Sequence, residues 1–216
     1  MEESTSKEKI LKKIRKALIH KSEVDYTNVD FDSDVYTYPE ESPELLFAQK
    51  FSQLNGKFVF CESEKDFSET FATLVAENKW QNIFAFETSV KKILTNAKVK
   101  FEDDSKKIAN VEIGVTLCEY LVSRTGTVMV SSKQDAGRRL GVYSNTHIVV
   151  AYTSQLVSNV KDALSGLKKK YEKNFPSLVT AITGPSRTAD IEKTLVQGAH
   201  GPKDIFVFLI DDTGRK

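Results

Sequence analysis

The chain has 216 residues, and its 31 lysines and arginines nearly balance its 30 aspartates and glutamates, which leaves a net charge of +1. At about 100–200 residues per domain, this length fits one domain with a terminal extension, and a hydrophobic content of 40% excludes wholesale disorder. The even charge balance gives no indication of nucleic-acid binding.

Cysteine and histidine are too few and too scattered to predict a resident metal centre. The cysteines are Cys61 and Cys118, and the histidines His20, His147 and His200 lie far apart in the sequence. An iron–sulfur cluster is held mostly by thiolates, and a zinc site needs three or four protein ligands. We therefore expect no metal or cofactor in this chain. The lack of a long apolar run and of a secretory leader predicts a cytoplasmic protein without a membrane span.

The first 41 residues predict a basic helix followed by an acidic segment. Thr5 and Glu8 have capping-box spacing, and a helix predicted over residues 7–21 carries a narrow apolar stripe among lysines and arginines. The narrow stripe favours packing on its own domain over binding to a membrane surface or an acidic partner. Residues 23–41 mix acidic and aromatic side chains without a regular period, so we place the boundary of the main domain, residues 42–216, after them.

Helical and strand periods alternate from residue 42 onwards. Ser42-Pro43-Glu44 predicts the start of a helix that Gly56 ends, and Thr116-Leu117-Cys118-Glu119 predicts a capping box that opens a short helix. Further helices are predicted over residues 67–80, 88–97, 154–173 and 189–196. Strands are predicted over residues 57–61, 82–86, 98–101, 111–113, 127–131, 147–152, 177–183 and 205–210. This alternation predicts an α/β fold: a mostly parallel open sheet with helices on both faces.

A first candidate anion site follows the strand predicted over residues 177–183. Gly184 predicts a turn, and Ser186, Arg187, Thr188 and Asp190 surround the predicted N-terminus of a helix, which attracts anions. The same residue types are ordinary helix caps, and local physics supports the two interpretations equally. Ligands of open α/β sheets bind at the carboxyl ends of the strands. We therefore expect this turn to lie at the carboxyl end of a parallel strand and to face a cleft.

A second candidate site is the turn that leaves the predicted helix. Gly198 and Gly201-Pro202 bracket His200, and Lys203 follows. A histidine in such a turn can serve as an acid, a base or an anion-binding group. The structural alternative is that the turn only ends the predicted helix, with Gly198 as the residue after its C-cap. We expect His200 and Arg187 to share one site. A helix of about 10 residues spans about 15 Å, so this requires a reversal of the chain or a second copy of it.

Weaker candidates lie earlier in the chain. Glu119, in the predicted short helix, could act as a base or nucleophile, although the capping box alone explains it. Arg138 and Arg139 could hold a carboxylate in a bidentate manner, although such arginines more often belong to a solvated loop. His147 precedes an apolar run and is expected to be structural, and Cys118 has no histidine near it in the sequence.

Four motifs together resemble the LUD domain family of bacterial proteins. They are Gly114-Val115-Thr116, Arg124-Thr125-Gly126-Thr127, the segment from Thr183 to Glu192, and the segment from Gly198 to Lys203. The resemblance covers roughly residues 45–211. It implies a fold like that of the sugar-phosphate isomerases and CoA transferases, and a role in lactate utilization, the oxidation of L-lactate to pyruvate.

The resemblance also implies partner proteins that carry iron–sulfur clusters. With no cluster ligands of its own, this chain would be a non-redox subunit that binds a small carboxylate or another anionic metabolite, and a homo-oligomer is compatible with that role. Thr125, Gly126 and Thr127 join the candidate binding residues through the matched motif. Arg124 stands where many relatives have an acidic residue, and Leu117–Tyr120 also differs from their pattern, so the resemblance assigns no acid/base role to the predicted short helix. The alternative is a self-sufficient isomerase- or CoA-transferase-like enzyme that acts on a phosphorylated or CoA-linked metabolite.

Overall fold

The computed structural model describes residues 5–19, 30, 40–136, 139–188 and 196–214. The chain divides into two compact units, Met1–Glu40 and Glu41–Lys216. In the first unit, Thr5 and Glu8 form the predicted capping box of helix α1 (Ser6–Ile19), whose residues are all exposed. Most of the predicted acidic segment lies outside the described residues. No described helix is long and apolar enough to cross a membrane.

In the second unit, helices and strands alternate along most of the chain. The described helices are α2 (Pro43–Gln53), α3 (Glu64–Glu77), α4 (Thr88–Asn96), α5 (Leu140–Tyr143) and α6 (Val160–Tyr171). The described strands are β1 (Lys57–Cys61), β2 (Ile83–Ala85), β3 (Ile113–Leu117), β4 (Tyr120–Val122), β5 (Thr127–Ser131), β6 (Thr146–Tyr152), β7 (Leu156–Val157), β8 (Val179–Ile182), β9 (Arg187–Thr188), β10 (Val196–Gln197) and β11 (Asp204–Ile210). Ser42 caps α2 by accepting a hydrogen bond from the Leu45 N–H, with Pro43 at the first helical position as predicted.

The central sheet has five strands in the order β1-β11-β6-β3-β2, and each neighbouring pair is parallel. This confirms the predicted α/β fold with a mostly parallel sheet. Because the strands run in one direction, the sheet has an amino edge, where the strands begin, and a carboxyl edge, where they end. The register of β6 with β11 brings Thr146 beside Asp204 at the amino edge and Tyr152 beside Ile210 at the carboxyl edge.

The two faces of the central sheet are covered differently. Alternate residues of a strand point to opposite faces, and in β6 Ile148 and Val150 lie on one face while Val149 and Ala151 lie on the other. The first face packs against α3 and α4, through Phe67, Phe71, Val90, Ile93 and Leu94. The second face packs against α2 and a smaller sheet, through Phe47, Phe51, Leu121, Val128 and Val130. Helices therefore lie on both faces, but on the second face a sheet shares the cover.

The smaller sheet has the order β7-β4-β5-β8. Its β4–β5 and β5–β8 pairs are antiparallel, and its β4–β7 pair is parallel. Strand β4 leaves the carboxyl edge of the central sheet after β3 and runs back, so the β4–β5 turn and the end of β8 both lie toward the amino edge. This path brings the motifs at residues 124–127 and 183–188 to the amino edge of the central sheet.

The predicted short helix opening at Thr116 is wrong. Thr116 and Leu117 belong to β3 and pair with β6, and β4 begins at Tyr120, three residues later. The run from Ile113 to Cys118 is largely buried, so pairing within the sheet overrides the local capping signal. Glu119 instead donates its backbone N–H to the Met129 carbonyl at 2.7 Å.

Two further elements differ from those that the sequence predicts. The helix predicted over residues 154–173 begins at Val160, because Leu156–Val157 pairs with β4 and Asn159 forms a capping box with Asp162. The strand predicted over residues 98–101 does not form, and a single bridge joins Phe84 to Glu102 instead.

Candidate functional site

Three of the sequence motifs converge beside the end of α2, at the amino edge of the central sheet. Thr127, at the start of β5, hydrogen-bonds through its hydroxyl to the Thr125 hydroxyl at 2.8 Å and to the Thr183 hydroxyl at 3.0 Å. The Ser186 N–H donates to the Pro202 carbonyl at 3.0 Å. The contact between Thr127 and Thr183 joins residues that lie 56 positions apart in the sequence. We call the described residues 124–127, 183–188 and 198–203 the motif cluster.

The backbone holds the second and third segments of the motif cluster together. The Gly198 N–H donates to the Ser186 carbonyl at 2.9 Å, and a Cβ atom built on Gly201 would lie 3.1 Å from the Ser186 Cβ. The Lys203 N–H donates to the Asn145 carbonyl at 2.8 Å, one residue before β6 begins. The cluster is therefore anchored to the amino ends of β6 and β11.

Two glycines of the cluster permit close approach to α2. Gly126 has φ +59°, and a Cβ there would lie 2.5 Å from the backbone nitrogen of Phe51. Gly184 has φ +85°, and a Cβ there would lie 2.7 Å from the Leu54 carbonyl oxygen. Both positions need the left-handed backbone that glycine adopts without strain. The fold therefore requires glycine at both positions, whether or not a ligand binds nearby.

Three cationic or potentially cationic side chains of the cluster are exposed: Arg187, His200 and Lys203. Arg187 donates from Nη2 to the Leu54 carbonyl at 2.6 Å, which uses one of the five N–H donors of its guanidinium. Ser186 is half-buried between the segments. This arrangement offers an anion fixed donors on a constrained backbone. That His200 and Arg187 share one site stays a prediction.

The local context predicted for this site is wrong in two respects. Thr188 belongs to β9 and pairs antiparallel with Val196 of β10, so no helix begins at Thr188 or ends at Val196. The preceding strand β8 is antiparallel to β5, and its end lies at the amino edge, not at the carboxyl end of a parallel strand. Pairing between β9 and β10 overrides the capping signal at Thr188, and residues 189–195 of the predicted helix lie outside the described residues. Asp190 lies outside the described residues.

Glu119 is a buried carboxylate with a complete set of partners. It accepts hydrogen bonds from the Ser131 hydroxyl at 2.5 Å, the Tyr171 hydroxyl at 2.7 Å and the Lys170 ammonium at 2.8 Å. Burial alone would raise the pKa of this carboxyl, but the hydrogen bonds from Lys170, Ser131 and Tyr171 outweigh it, so the pKa lies below its usual range. An ionised, fully bonded carboxylate links β5 to α6 and is poorly placed to act as a nucleophile or base.

The remaining candidates do not join the motif cluster. Arg139 is exposed at the start of α5, and Arg138 lies outside the described residues. Both cysteines are buried, and burial raises the pKa of each thiol, that of Cys61 to about 12. Neither thiol is a nucleophile at neutral pH. Among the described residues, no three His, Cys, Asp or Glu side chains are placed to hold a metal ion.

Two buried polar groups were missed as candidates by sequence reasoning. Glu87, which follows β2 at the carboxyl edge, is 5% exposed, and neither of its carboxyl oxygens has a hydrogen-bond partner among the described residues. Burial raises its pKa to about 7, despite nearby backbone N–H groups that lower it. His147 was expected to be structural, and its Nδ1 is likewise unpartnered and buried. Neither residue lies in a motif, so only three-dimensional packing reveals them.

Comparison with known proteins identifies a matching family and several similar proteins. The LUD domain model matches residues 45–210. Over 115 residues the chain is 33% identical to Lactate utilization protein C of Bacillus subtilis, covering 52% of this chain and 48% of that protein. Over 175 residues it is 29% identical to Lactate utilization protein C of Geobacillus thermodenitrificans, covering 79% of this chain and 70% of that protein. The chain thus spans about half the length of the first of these relatives.

A solved structure supports the fold. A DUF162 family protein from Deinococcus radiodurans aligns with 78% of this chain and 96% of that chain, with a TM-score of 0.55 and 16% sequence identity. At this identity the likeness establishes the architecture alone. The function is therefore argued from the site and the relatives.

Proposed function

Since the chain belongs to the LUD domain family, we propose that it serves in lactate utilization as a non-redox subunit that binds a small carboxylate. Two relatives with a substantial match are named Lactate utilization protein C. The observation that carries the binding proposal is the convergence of the three motif segments, which places exposed Arg187, His200 and Lys203 on one constrained stretch of backbone.

The chemistry of the motif cluster suits L-lactate or pyruvate. A carboxylate pairs well with the planar fork of a guanidinium, and Lys203 adds a point charge. The α-hydroxyl or α-carbonyl of these acids can hydrogen-bond to a hydroxyl such as that of Ser186. Because Ser186 is tied by its backbone to Pro202 and Gly198, its position is fixed before a ligand binds. Such pre-organisation lowers the entropy cost of binding.

The oxidation itself is assigned to partner proteins. Removing two electrons from lactate needs an acceptor, and the proposal places iron–sulfur clusters on partner subunits and no cofactor in this chain. The described residues offer buried, protonated thiols in place of cluster ligands. In this proposal the chain presents the acid to a redox partner.

The alternative, a self-sufficient isomerase- or CoA-transferase-like enzyme, receives less support. It would use Glu119 or Asp190 as base or nucleophile. Both oxygens of Glu119 are engaged by Ser131, Tyr171 and Lys170. A covalent acyl adduct on Glu119 after incubation with acyl-CoA would reverse this preference.

Calorimetric titration of the chain with L-lactate and pyruvate tests the proposal. We expect saturable binding that Arg187→Gln weakens by about ten-fold, or about 1.4 kcal/mol. Lys169→Gln, an exposed lysine on α6, is the matched control and should leave the affinity unchanged. Lactate oxidation reconstituted with the iron–sulfur partner proteins should also fall when the chain carries Arg187→Gln. Absence of saturable binding to the chain, alone and with those partners, would overturn the proposal.

A further inference from the structure

A cleft opens between α5 and β8 and reaches the space between the two sheets. Its volume is about 340 Å³. Its apolar lining comes from Val130, Val142, Leu178 and Ile182. Its polar lining comes from Thr116, Thr180 and His147, and none of the lining residues is charged. This volume is at the small end of ligand sites, which range from about 300 to 1,000 Å³.

His147 presents an unsatisfied polar atom in this cleft. The residue is 1% exposed, its Nε2 is 2.8 Å from the Thr116 hydroxyl oxygen, and its Nδ1 has no partner among the described residues. A buried polar group without a hydrogen-bond partner destabilises the fold. A ligand that supplies the missing hydrogen bond would relieve that destabilisation.

Gly141 lies against the imidazole edge that carries this buried nitrogen. A Cβ atom built on Gly141 would lie 3.2 Å from Cε1 of His147 and 3.6 Å from its Nδ1. Gly141 lies in α5 and also lines the cleft. A side chain at this position would press against the imidazole edge, so glycine leaves the most room for a ligand beside Nδ1.

The electrostatics of the cleft select an uncharged ligand. Complete burial lowers the pKa of His147 to about 4, so its imidazole is neutral at physiological pH. The Thr116 hydroxyl can either donate to Nε2 or accept from it, which leaves Nδ1 free to donate or to accept. A carboxylate would lose its hydration without meeting a cation, which is strongly unfavourable.

We propose that this cleft binds a small neutral molecule with an apolar body and one carbonyl or hydroxyl group, which hydrogen-bonds to His147 Nδ1. The apolar body would lie against Val130, Leu178 and Ile182. The site is separate from the motif cluster and selects the opposite kind of ligand, since the cluster offers exposed cations and the cleft offers none.

Acetophenone and benzyl alcohol are suitable probes, with ethylbenzene and benzoate as matched comparisons. Titration followed by ¹H–¹⁵N NMR of the histidine rings reports on His147 directly. We expect acetophenone or benzyl alcohol to bind at least about ten-fold more tightly than ethylbenzene, and to shift the His147 ring signals. Benzoate should leave those signals unchanged.

Two variants locate the binding. Thr180→Phe fills the cleft from half-buried β8 without touching the His147–Thr116 hydrogen bond, and Gly141→Ala narrows the space beside Nδ1. Each should weaken probe binding by about ten-fold or more, and Thr180→Phe should leave L-lactate affinity unchanged. Binding equally tight in folded Thr180→Phe, or no binding of either polar probe at millimolar concentration, would overturn the proposal and leave water as the partner of Nδ1.

Discussion

The two edges of the central sheet differ in their charged side chains, although the amino edge also holds the Lys57–Asp204 ion pair. At the carboxyl edge, Glu87, Glu119 and Asp212 follow β2, β3 and β11, and Asp212 accepts hydrogen bonds from both Thr153 and Ser154. At the amino edge lie the exposed cations of the motif cluster. Ligands of open α/β sheets usually bind at the carboxyl edge. Here the chain's own carboxylates stand at that edge, whereas the proposed anion site lies at the amino edge.

The helix N-termini at the carboxyl edge are also used by the chain itself. Ser63 caps α3, and Glu64 and Asp66 occupy its first turn. Glu87 stands at the N-cap of α4. Glu64 and Asp66 complement the dipole of α3, which would otherwise attract a carboxylate ligand. The anion site proposed above therefore departs from the usual location in open α/β sheets, and changes at each edge can test that contrast.

The largest effect is expected at the β4–β5 turn of the amino edge. Gly126→Ala forces φ +59° on an alanine and places its Cβ 2.5 Å from the Phe51 nitrogen. Strain and overpacking should together lower the free energy of unfolding by about 3 kcal/mol or more. Denaturant unfolding measures this, and Gly214→Ala, where nothing lies within 4 Å, is the control. A neutral Gly126→Ala would show that this contact with α2 is not tight.

At the carboxyl edge, Glu87→Gln should change how stability depends on pH. Burial raises the pKa of Glu87 from 4.5 to about 7, so the folded chain keeps a proton that the unfolded chain releases, and stability falls as the pH rises through this window. Removing the carboxyl should make the variant gain up to about 3 kcal/mol relative to the parent between pH 4.5 and 7. Exposed Glu77→Gln is the control. A pH-independent difference would contradict the assigned burial.

The Glu87→Gln variant should also reveal the contribution of His147 to stability, whose dependence on pH has the opposite sign. Burial lowers the pKa of His147 from 6.5 to about 4, so the unfolded chain binds a proton that the folded chain lacks. Its contribution to stability therefore rises with pH between about 4 and 6.5, against that of Glu87. In Glu87→Gln the stability should rise with pH throughout this window. Parallel curves for the parent and the variant would show that the two buried groups do not oppose each other.

A smaller effect is expected for Lys170→Met, which removes the ammonium from buried Glu119. Because Lys170 is 55% exposed and Glu119 keeps its Ser131 and Tyr171 hydrogen bonds, the loss should be about 1–2 kcal/mol of stability. L-Lactate affinity should not change, since this network lies at the other edge. A large loss of affinity with little loss of stability would move the binding site to Glu119.

The smallest effect concerns the shared site predicted for Arg187 and His200. A double-mutant cycle on pyruvate affinity with Arg187→Ala and His200→Ala should give a coupling above the roughly 0.3–0.5 kcal/mol seen for independent sites. Additive losses would assign the two side chains to separate functions.

The sequence predicts the elements that depend on local patterning. The strands Lys57–Cys61 and Thr127–Ser131 have the predicted bounds because apolar and β-branched runs are bracketed by turn residues. The capping signals at Thr116 and Thr188 mislead because both residues pair with other strands, Thr116 with β6 and Thr188 with β10. The contact of Thr127 with Thr183, 56 positions away, is decided by the tertiary fold and leaves no local trace in the sequence.

The residues of the motif cluster can be named from the sequence, but their place in the fold cannot. The glycines and cations of the motif cluster are visible in the sequence, whereas the reversal of β4 that carries them to the amino edge is not. Glu87 and His147 carry no motif, and their unsatisfied atoms follow from how α4, α5 and the smaller sheet pack around them.

Mapping pyruvate binding on the ¹⁵N-labelled chain tests the contrast between the two edges most directly. We predict saturable chemical-shift changes at the amides of Gly184, Ser186 and Gly198 on the amino edge, which Arg187→Gln diminishes. The amides of Glu119 and Asp212 on the carboxyl edge should stay unchanged. Saturable shifts centred on Glu119 and Asp212, with the motif cluster unaffected, would contradict the account.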